Sequence, residues 1–269
     1  MQDKPLISVL MGIYNCSSTL KEAVDSIKAQ TYDNWELIMC DDCSSDGTYS
    51  VALELAKQDS RIKVIKNEKN LTLAPTLNHC LEAAKGEYIA RMDGDDICDP
   101  KRFELELNAF AKNPDCVLVS CFMKIFDESG EVGLVKYNEH PEKSDFSKGS
   151  PFCHAGCMMK TNVLRELGGY NTSPEVLRAE DFDLWVRLYE AGYTGMTIPY
   201  PLYSMRDDLN AYKRRKFSHR FIEYKIRKRA VKAFKLPKKY YIYALKPVAV
   251  AFIPSFLYKI LHKKRVNSK

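Results

Sequence analysis

Three acidic groupings in this chain have the composition to do chemistry together. Asp93-Gly94-Asp95-Asp96 follows a short apolar run and is the densest of them. Carboxylates crowded in this way repel one another and cost stability unless a cation or a donor ligand shares their site. Aspartate oxygens suit hard Mg2+ or Mn2+, and a metal held by one or two of them keeps positions for phosphate oxygens. Gly94 would let the backbone approach such a ligand closely. The same four residues would also make an acidic turn whose aspartates cap the next helix. Their place directly after a buried strand favours the ligand.

The second grouping, Asp41-Asp42-Cys43-Ser44-Ser45-Asp46-Gly47-Thr48, offers acceptors for a base N–H or a ribose hydroxyl. Ser44 to Thr48 is equally ordinary turn and N-cap chemistry, whereas Asp42 is better matched to a ligand. The third, Glu180-Asp181, opens a helix, where the backbone dipole stabilises carboxylates and a capping role would suffice. An attacking hydroxyl nevertheless needs a carboxylate to take its proton, and no other acidic pair downstream has so definite a setting. His154, among Cys153, Gly156 and Met158, reads more readily as a packed histidine than as a base, and together with Glu180 it is a candidate for an acceptor site.

The elements that must position these groups alternate. Leu6 to Met11 is a continuous apolar run suited to a strand buried on both faces, and Ser17 to Gln30 places Leu20, Val24 and Ile27 on one helical stripe. Glu36 to Cys40 repeats the strand pattern, Asp46 can cap a helix carrying Val51, Leu55 and Ala56, and Ile62 to Ile65 supplies a third strand. Pro75 fits the first turn of a helix with Leu77 and Leu81 on its buried side, and Tyr88 to Met92 is a fourth strand. Interleaved helices and short apolar strands predict an α/β fold, a doubly wound and mostly parallel sheet with helices on both faces. In such a sheet ligands bind beyond the carboxyl ends of the strands, which brings Gly12 to Asn15, Asp41 to Thr48 and Asp93 to Asp96 to one cleft. Farther on, Arg102 to Ala111 reads as a helix, Cys116 to Cys121 as a strand and Phe126 to Ser150 as a polar loop region. Asp181 to Ala191 reads as a short helix ended by Gly192.

Composition divides the chain in two. Arg206 to Lys269 holds 20 Lys and Arg against 3 Asp and Glu, while the whole chain is only +6, so Met1 to Met205 is net acidic and the two parts face different partners. The first segment, MQDKPLISVLMGIYN, lacks the basic, apolar and cleavage zones of a signal peptide, so a cytoplasmic location is expected. Nine scattered cysteines fit reduced, packed thiols better than a disulfide framework; Cys40 and Cys43 form a CxxC, but no second pair has metal-ligand spacing. In the basic part, Tyr240 to Ile260 is apolar and aromatic but is interrupted by Lys246, Pro247 and Pro254, which argues against a spanning helix and for an interfacial helix pair anchored by tyrosines and by basic residues facing anionic lipid. A helical appendage packed on the first domain is the alternative, and no nucleic-acid motif accompanies the basic clusters.

Taken together, ISVLMGIYN, ELIMCDDCSSDGT, GEYIARMDGDD and AEDFDLWVRL resemble, in order, the motifs of family 2 glycosyltransferases of the GT-A fold, in particular bacterial enzymes of capsule, exopolysaccharide and O-antigen assembly. The resemblance covers roughly residues 5 to 205, which implies a catalytic domain over 1–205; composition, apart from the resemblance, makes 206–269 a basic, aromatic helical extension expected at the membrane interface. It implies that Tyr14 and Asp42 contact the nucleoside, that Asp93 and Gly94 of the DXD motif lie at the ribose and diphosphate, that Asp95 binds Mn2+ or Mg2+, and that Asp181 is the base. It implies inverting transfer from a nucleotide sugar, a UDP-hexose or UDP-N-acetylhexosamine, to a saccharide or lipid-linked saccharide at the inner face of the cell membrane. The rival from another class is a catalytically idle nucleotide-sugar sensor or membrane-binding protein on the same fold. The segment NLTLAPTLN departs from the family pattern in lacking a glycine after its first asparagine.

Overall fold

The computed structural model of the protein describes residues 4–207 and 217–251. In chain order its elements are β1 (Ile7–Ile13), α1 (Leu20–Lys28), β2 (Trp35–Asp41), α2 (Thr48–Gln58), β3 (Ile62–Lys66), α3 (Leu73–Ala83) and β4 (Tyr88–Arg91). After these come β5 (Ile97–Cys98), α4 (Arg102–Lys112), β6 (Cys116–Asp127), β7 (Gly130–Val135), β8 (Met158–Lys160), α5 (Thr161–Glu166), α6 (Glu180–Glu190) and β9 (Thr194–Arg206). The described chain closes with α7 (Phe217–Ala233), α8 (Tyr240–Ala244) and α9 (Lys246–Ala251).

The strands form one sheet in the order β3-β2-β1-β4-β8-β6-β9-β5, with β7 added to β6. β3, β2, β1 and β4 pair in parallel. The short β8 is antiparallel to both β4 and β6, and β6 runs parallel to β9, so all the long strands but the edge strand β7 share one direction. The apolar runs read as strands are strands for a plain reason: both faces are covered. Val9, Met11, Leu37 and Met39 pack with Leu20, Val24 and Ile27 of α1 and Leu55 of α2. Their alternates Leu10, Ile38 and Cys40 pack on the opposite face with Leu77 and Leu81 of α3. Each such fully buried aliphatic side chain contributes roughly 2 kcal/mol.

Two expectations shift in detail. Asp46 stands one residue ahead of the cap position Gly47, although its carboxylate does accept from the Thr48 N–H at 2.9 Å. Phe126 to Ser150 is not a loop throughout: β6 runs on to Asp127 and turns back as β7, and Asp145–Ser147 makes a short 3-10 turn. The turn is closed by Asp127, which accepts from Ser129 N–H at 2.8 Å. Among the described residues β7 pairs with β6 alone, and it is half-exposed, so its sequence lacks the continuous apolar run of an inner strand.

The second face of the sheet carries α5, α6 and α7 as well as α3. Ile226 and Ala230 of α7 belong to the same buried cluster as Phe182, Leu184 and Trp185 of α6. Asp183, fully buried in α6, accepts from Arg187 Nε at 2.8 Å and from Arg229 Nη1 of α7 at 2.6 Å, which fastens one helix to the other. Gly192, at a φ of 89°, ends α6 in the left-handed conformation that glycine adopts without penalty. The division expected after Met205 falls within β9, which ends at Arg206.

Candidate active site

The carboxyl ends of β1, β2 and β4 meet as the topology requires. Asn15 N–H donates to Ser44 Oγ at 3.0 Å, and Ser45 N–H donates to Asn15 Oδ1 at 2.9 Å, so the loops after β1 and β2 are tied together. Tyr14, at the rim, is 51% exposed. Asn15, Cys43 and Thr72 all have positive φ, a backbone cost that clusters where function requires an unusual loop path.

Asp42 is buried and braces its surroundings. One carboxylate oxygen accepts from Asn67 Nδ2 and Leu71 N–H, both at 2.8 Å, and the other from Thr72 N–H at 2.9 Å. The oxygen bonded only to Thr72 keeps lone-pair capacity for a further donor. The segment after Asn70, which lacks a glycine, is held by its hydrogen bonds to Asp42.

The acidic turn after β4 is held by residues that no local motif announces. Arg91, almost wholly buried, donates through Nη2 to Asp93 Oδ1 at 2.6 Å, while its Nε and Nη1 have no partner among the described residues. Buried donors of that kind are normally taken by a ligand or water. Burial works against the charge of Arg91, but Asp93 and the nearby tyrosines outweigh it and keep the guanidinium protonated. Tyr203 of β9 donates to Asp96 at 2.7 Å and accepts from Asp93 N–H at 3.2 Å. Arg206 N–H donates to the other oxygen of Asp96 at 2.8 Å, and Arg206 Nε to the Asp95 carbonyl at 3.0 Å. Asp96 is therefore the internal tie of the turn; burial, then Asp93 and Asp95, push its carboxyl up to about 8.

Asp95 is left as the carboxylate that faces outward. Solvent reaches its side chain, yet the crowding of protein around it, followed by the charge of Asp93, raises its carboxyl. A cation at this point would relieve that repulsion, and two hard carboxylate donors with room for phosphate oxygens fit Mn2+ or Mg2+. No group of three or more His, Cys, Asp or Glu among the described residues could hold a metal, so any ion here would take further ligands from a bound donor. Gly94 is constrained by packing: a Cβ there would come within 3.0 Å of both Cys16 Sγ and Ile13 Cγ2. The turn lies hard against the end of β1, which is a different reason for glycine from the expected approach of a ligand.

Glu180 and Asp181 open α6. Burial, then Asp181, pushes the Glu180 carboxyl up to about 7, and burial likewise raises that of Asp181, which Ser150 Oγ reaches at 3.5 Å. His154 Nε2 lies 2.9 Å from the Tyr170 hydroxyl, and its ring meets Tyr170 and Trp185 edge to face. Burial, then Arg91, lowers its pKa well below the usual value, so it is neutral. The charge of Arg91 is a smaller influence that lowers the carboxyls of Asp95 and Glu180 and helps keep His154 neutral. Sequence reading missed Arg91, Tyr203 and Arg206; Arg91 alone carried a signal, an arginine inside an otherwise apolar strand.

Residues 8–168 match the family model of glycosyl transferase family 2. EpsE of Bacillus subtilis (strain 168) is 43% identical over 270 residues, covering 100% of this chain and 97% of that protein. The Escherichia coli UDP-Glc:alpha-D-GlcNAc-diphosphoundecaprenol beta-1,3-glucosyltransferase WfgD is 34% identical over 186 residues, covering 69% and 70% of the two chains. Among solved structures, S. aureus TarS 1-349 in complex with UDP-GlcNAc superposes with a TM-score of 0.67 at 17% identity, covering 91% of this chain and 71% of that one. The Pyrobaculum calidifontis mannosyltransferase PcManGT in complex with GDP-Man and Mn2+ does so at 0.65 and 19%, covering 98% and 80%.

Proposed function

The chain belongs to glycosyl transferase family 2, on the GT-A fold, and from that premise we propose that it is an inverting, metal-dependent enzyme of surface polysaccharide assembly. Its donor is a nucleotide sugar, a UDP-hexose or UDP-N-acetylhexosamine, and its acceptor a hydroxyl of a lipid-linked saccharide. The observation that carries the reading is the acidic turn after β4, where the buried Arg91 holds Asp93 and the Asp95 side chain stays open to solvent at the carboxyl end of a parallel strand. The relative whose name specifies both a UDP-Glc donor and a diphosphoundecaprenol-linked acceptor supports the choice of substrates.

In this mechanism Tyr14 lies against the nucleoside, and Asp42 uses its remaining acceptor capacity to read the base. Asp93 orients the ribose and diphosphate, and Gly94 keeps the turn pressed against β1. Asp95 holds Mn2+ or Mg2+, which when bound offsets the charge of the departing nucleoside diphosphate. Asp181 takes the proton of the acceptor hydroxyl as its oxygen bonds the anomeric carbon and the bond to the diphosphate breaks. A single displacement of this kind inverts the centre, so an alpha-linked donor gives a beta-linked product. Glu180 and the neutral His154 flank the acceptor.

The enzyme works at the inner face of the cell membrane in this reading. No described helix is long and apolar enough to cross a membrane. Ile242, Tyr243 and Leu245 are exposed beside the exposed Lys238, Lys239 and Lys246, a combination suited to an anionic interface. The cluster Arg227-Lys228-Arg229 contributes less than its sequence suggests, because Arg227 pairs with Glu223 and Arg229 with Asp183. Lys213 to Lys216 and Lys263 to Arg265 lie outside the described residues.

Saturation-transfer NMR with UDP-, GDP- and dTDP-sugars, with and without Mn2+, tests the donor site. Metal-dependent binding of one nucleotide class, lost in Asp95→Ala, is the expected result; a folded protein that binds none of them sinks the reading.

A further inference from the structure

The start of α6 opens on a cavity of about 320 Å3 whose lining joins two distant parts of the chain. Ser150, Arg178 and Asp181 come from the α6 side, and His219, Arg220 and Glu223 from the first turns of α7. The volume is at the small end for ligand pockets, enough for one sugar ring and a phosphate. Glu223 is already ion-paired with Arg227, whose Nη1 also donates to the Ser147 carbonyl at 3.4 Å, so the acid on the α7 wall is balanced from within the protein. Arg178 sits at a φ of 61°, a conformation that an arginine adopts only at a backbone cost. Its side chain is exposed, so core packing does not account for an arginine there.

We propose that this cavity receives the acceptor and that Arg178, His219 and Arg220 form within it a subsite for the anionic oxygens of a phosphate or diphosphate ester that the acceptor carries. The inference rests on Asp181 being the base: a hydroxyl that gives its proton to Asp181 must belong to a molecule that enters this space. A neutral saccharide is read by amides, hydroxyls and carboxylates. Here the walls around Asp181 carry, besides the Ser150 hydroxyl and the Glu223 carboxylate, two guanidinium groups and an imidazole, and the planar guanidinium fork matches phosphate oxygens. Arg220 and His219 both come from α7, so the C-terminal extension selects the acceptor as well as supporting the fold. A uronate carboxylate on the acceptor would offer related chemistry, and the two sources can be told apart.

The test is saturation-transfer NMR with methyl diphosphate and, separately, methyl glucuronide, on protein saturated with UDP and Mg2+. Wild type is compared with Arg220→Gln and Arg178→Asn, asparagine being tolerant of the left-handed backbone. Methyl diphosphate should bind alongside UDP, with affinity lower by about tenfold in each variant, as loss of a charge-assisted hydrogen bond implies. Methyl glucuronide should not bind. Failure of methyl diphosphate to bind wild type, binding that neither substitution weakens, or binding of methyl glucuronide in its place would overturn the subsite. UDP is observed in the same samples: if it fails to bind, the donor reading falls, while the methyl diphosphate comparison still decides the subsite.

Discussion

To take a proton, Asp181 must first lose its own, and burial raises the pH at which it does so. Turnover should therefore fall as pH drops through a value above the ordinary carboxylate range, because the protonated acid has no capacity left for the acceptor's proton. The Glu223 charge adds to the rise at Asp181. Glu223→Gln should accordingly move the acidic limb of the kcat/KM profile to lower pH, and a limb that stays in place would show that Asp181 does not set it. Asp181→Asn should lower kcat by about 10²–10⁴-fold, the range for loss of a general base, while UDP still binds. Of the residues involved, the aspartates were legible because each follows a buried apolar run or opens a helix. Tyr203 and Arg206 were not, since their value depends on β9 returning beside the β4 turn, a pairing between residues more than a hundred positions apart, and Arg91 showed only as an arginine inside an otherwise apolar strand. Asp42 was legible as important, but its bracing of Leu71 and Thr72 was not.

The elements are held in place by buried ion pairs as much as by apolar contact. Arg102 of α4 donates to Glu106 at 3.1 Å, to the Arg91 carbonyl at 2.9 Å and to the Cys157 carbonyl at 3.0 Å, all in the interior. It fixes the end of β4 from below, and so fixes the acidic turn. Burial outweighs Arg102 at Glu106 and pushes that carboxyl up to about 7 from an ordinary 4.5, so its contribution to stability is full in acid and is lost as pH rises through this window. Arg102→Leu should cost roughly 3–5 kcal/mol in urea unfolding at neutral pH, since it strands a buried carboxyl, and the deficit should grow with pH. A variant equally stable at every pH would contradict this role. Arg102 to Ala111 was readable as a helix from its periodicity, but an arginine and a glutamate four residues apart suggest a solvated face, and nothing local indicates that this pair is interior. β7 escaped for the opposite reason: an edge strand exposed on one side has no burial pattern strong enough to stand out from a polar loop.

Across the whole molecule, the charge asymmetry suggested two separable parts, and the packing joins them. Composition reports what a segment's surface can meet, whereas Ile226 and Ala230 of α7 are buried with Phe182 and Trp185 of α6. Removing the chain after Asp207 should leave no soluble folded protein, while removing 252–269 should preserve every contact described; circular dichroism and gel filtration would distinguish the two, and a folded, monodisperse product of the longer truncation would refute this dependence on α7. The membrane face is tested separately: Ile242→Asp with Leu245→Asp should reduce cosedimentation with phosphatidylserine vesicles and leave UDP binding unchanged, and undiminished cosedimentation would remove this patch from the interface. The shared core of α6 and α7 also orders events on the ribosome. The strands and loops that would cradle the nucleotide emerge early, whereas the helix bearing Asp181 gains its support only after α7 has left the exit tunnel. A nascent chain would thus acquire a nucleotide cradle before it acquires a working base, and its activity would begin only when synthesis has passed α7.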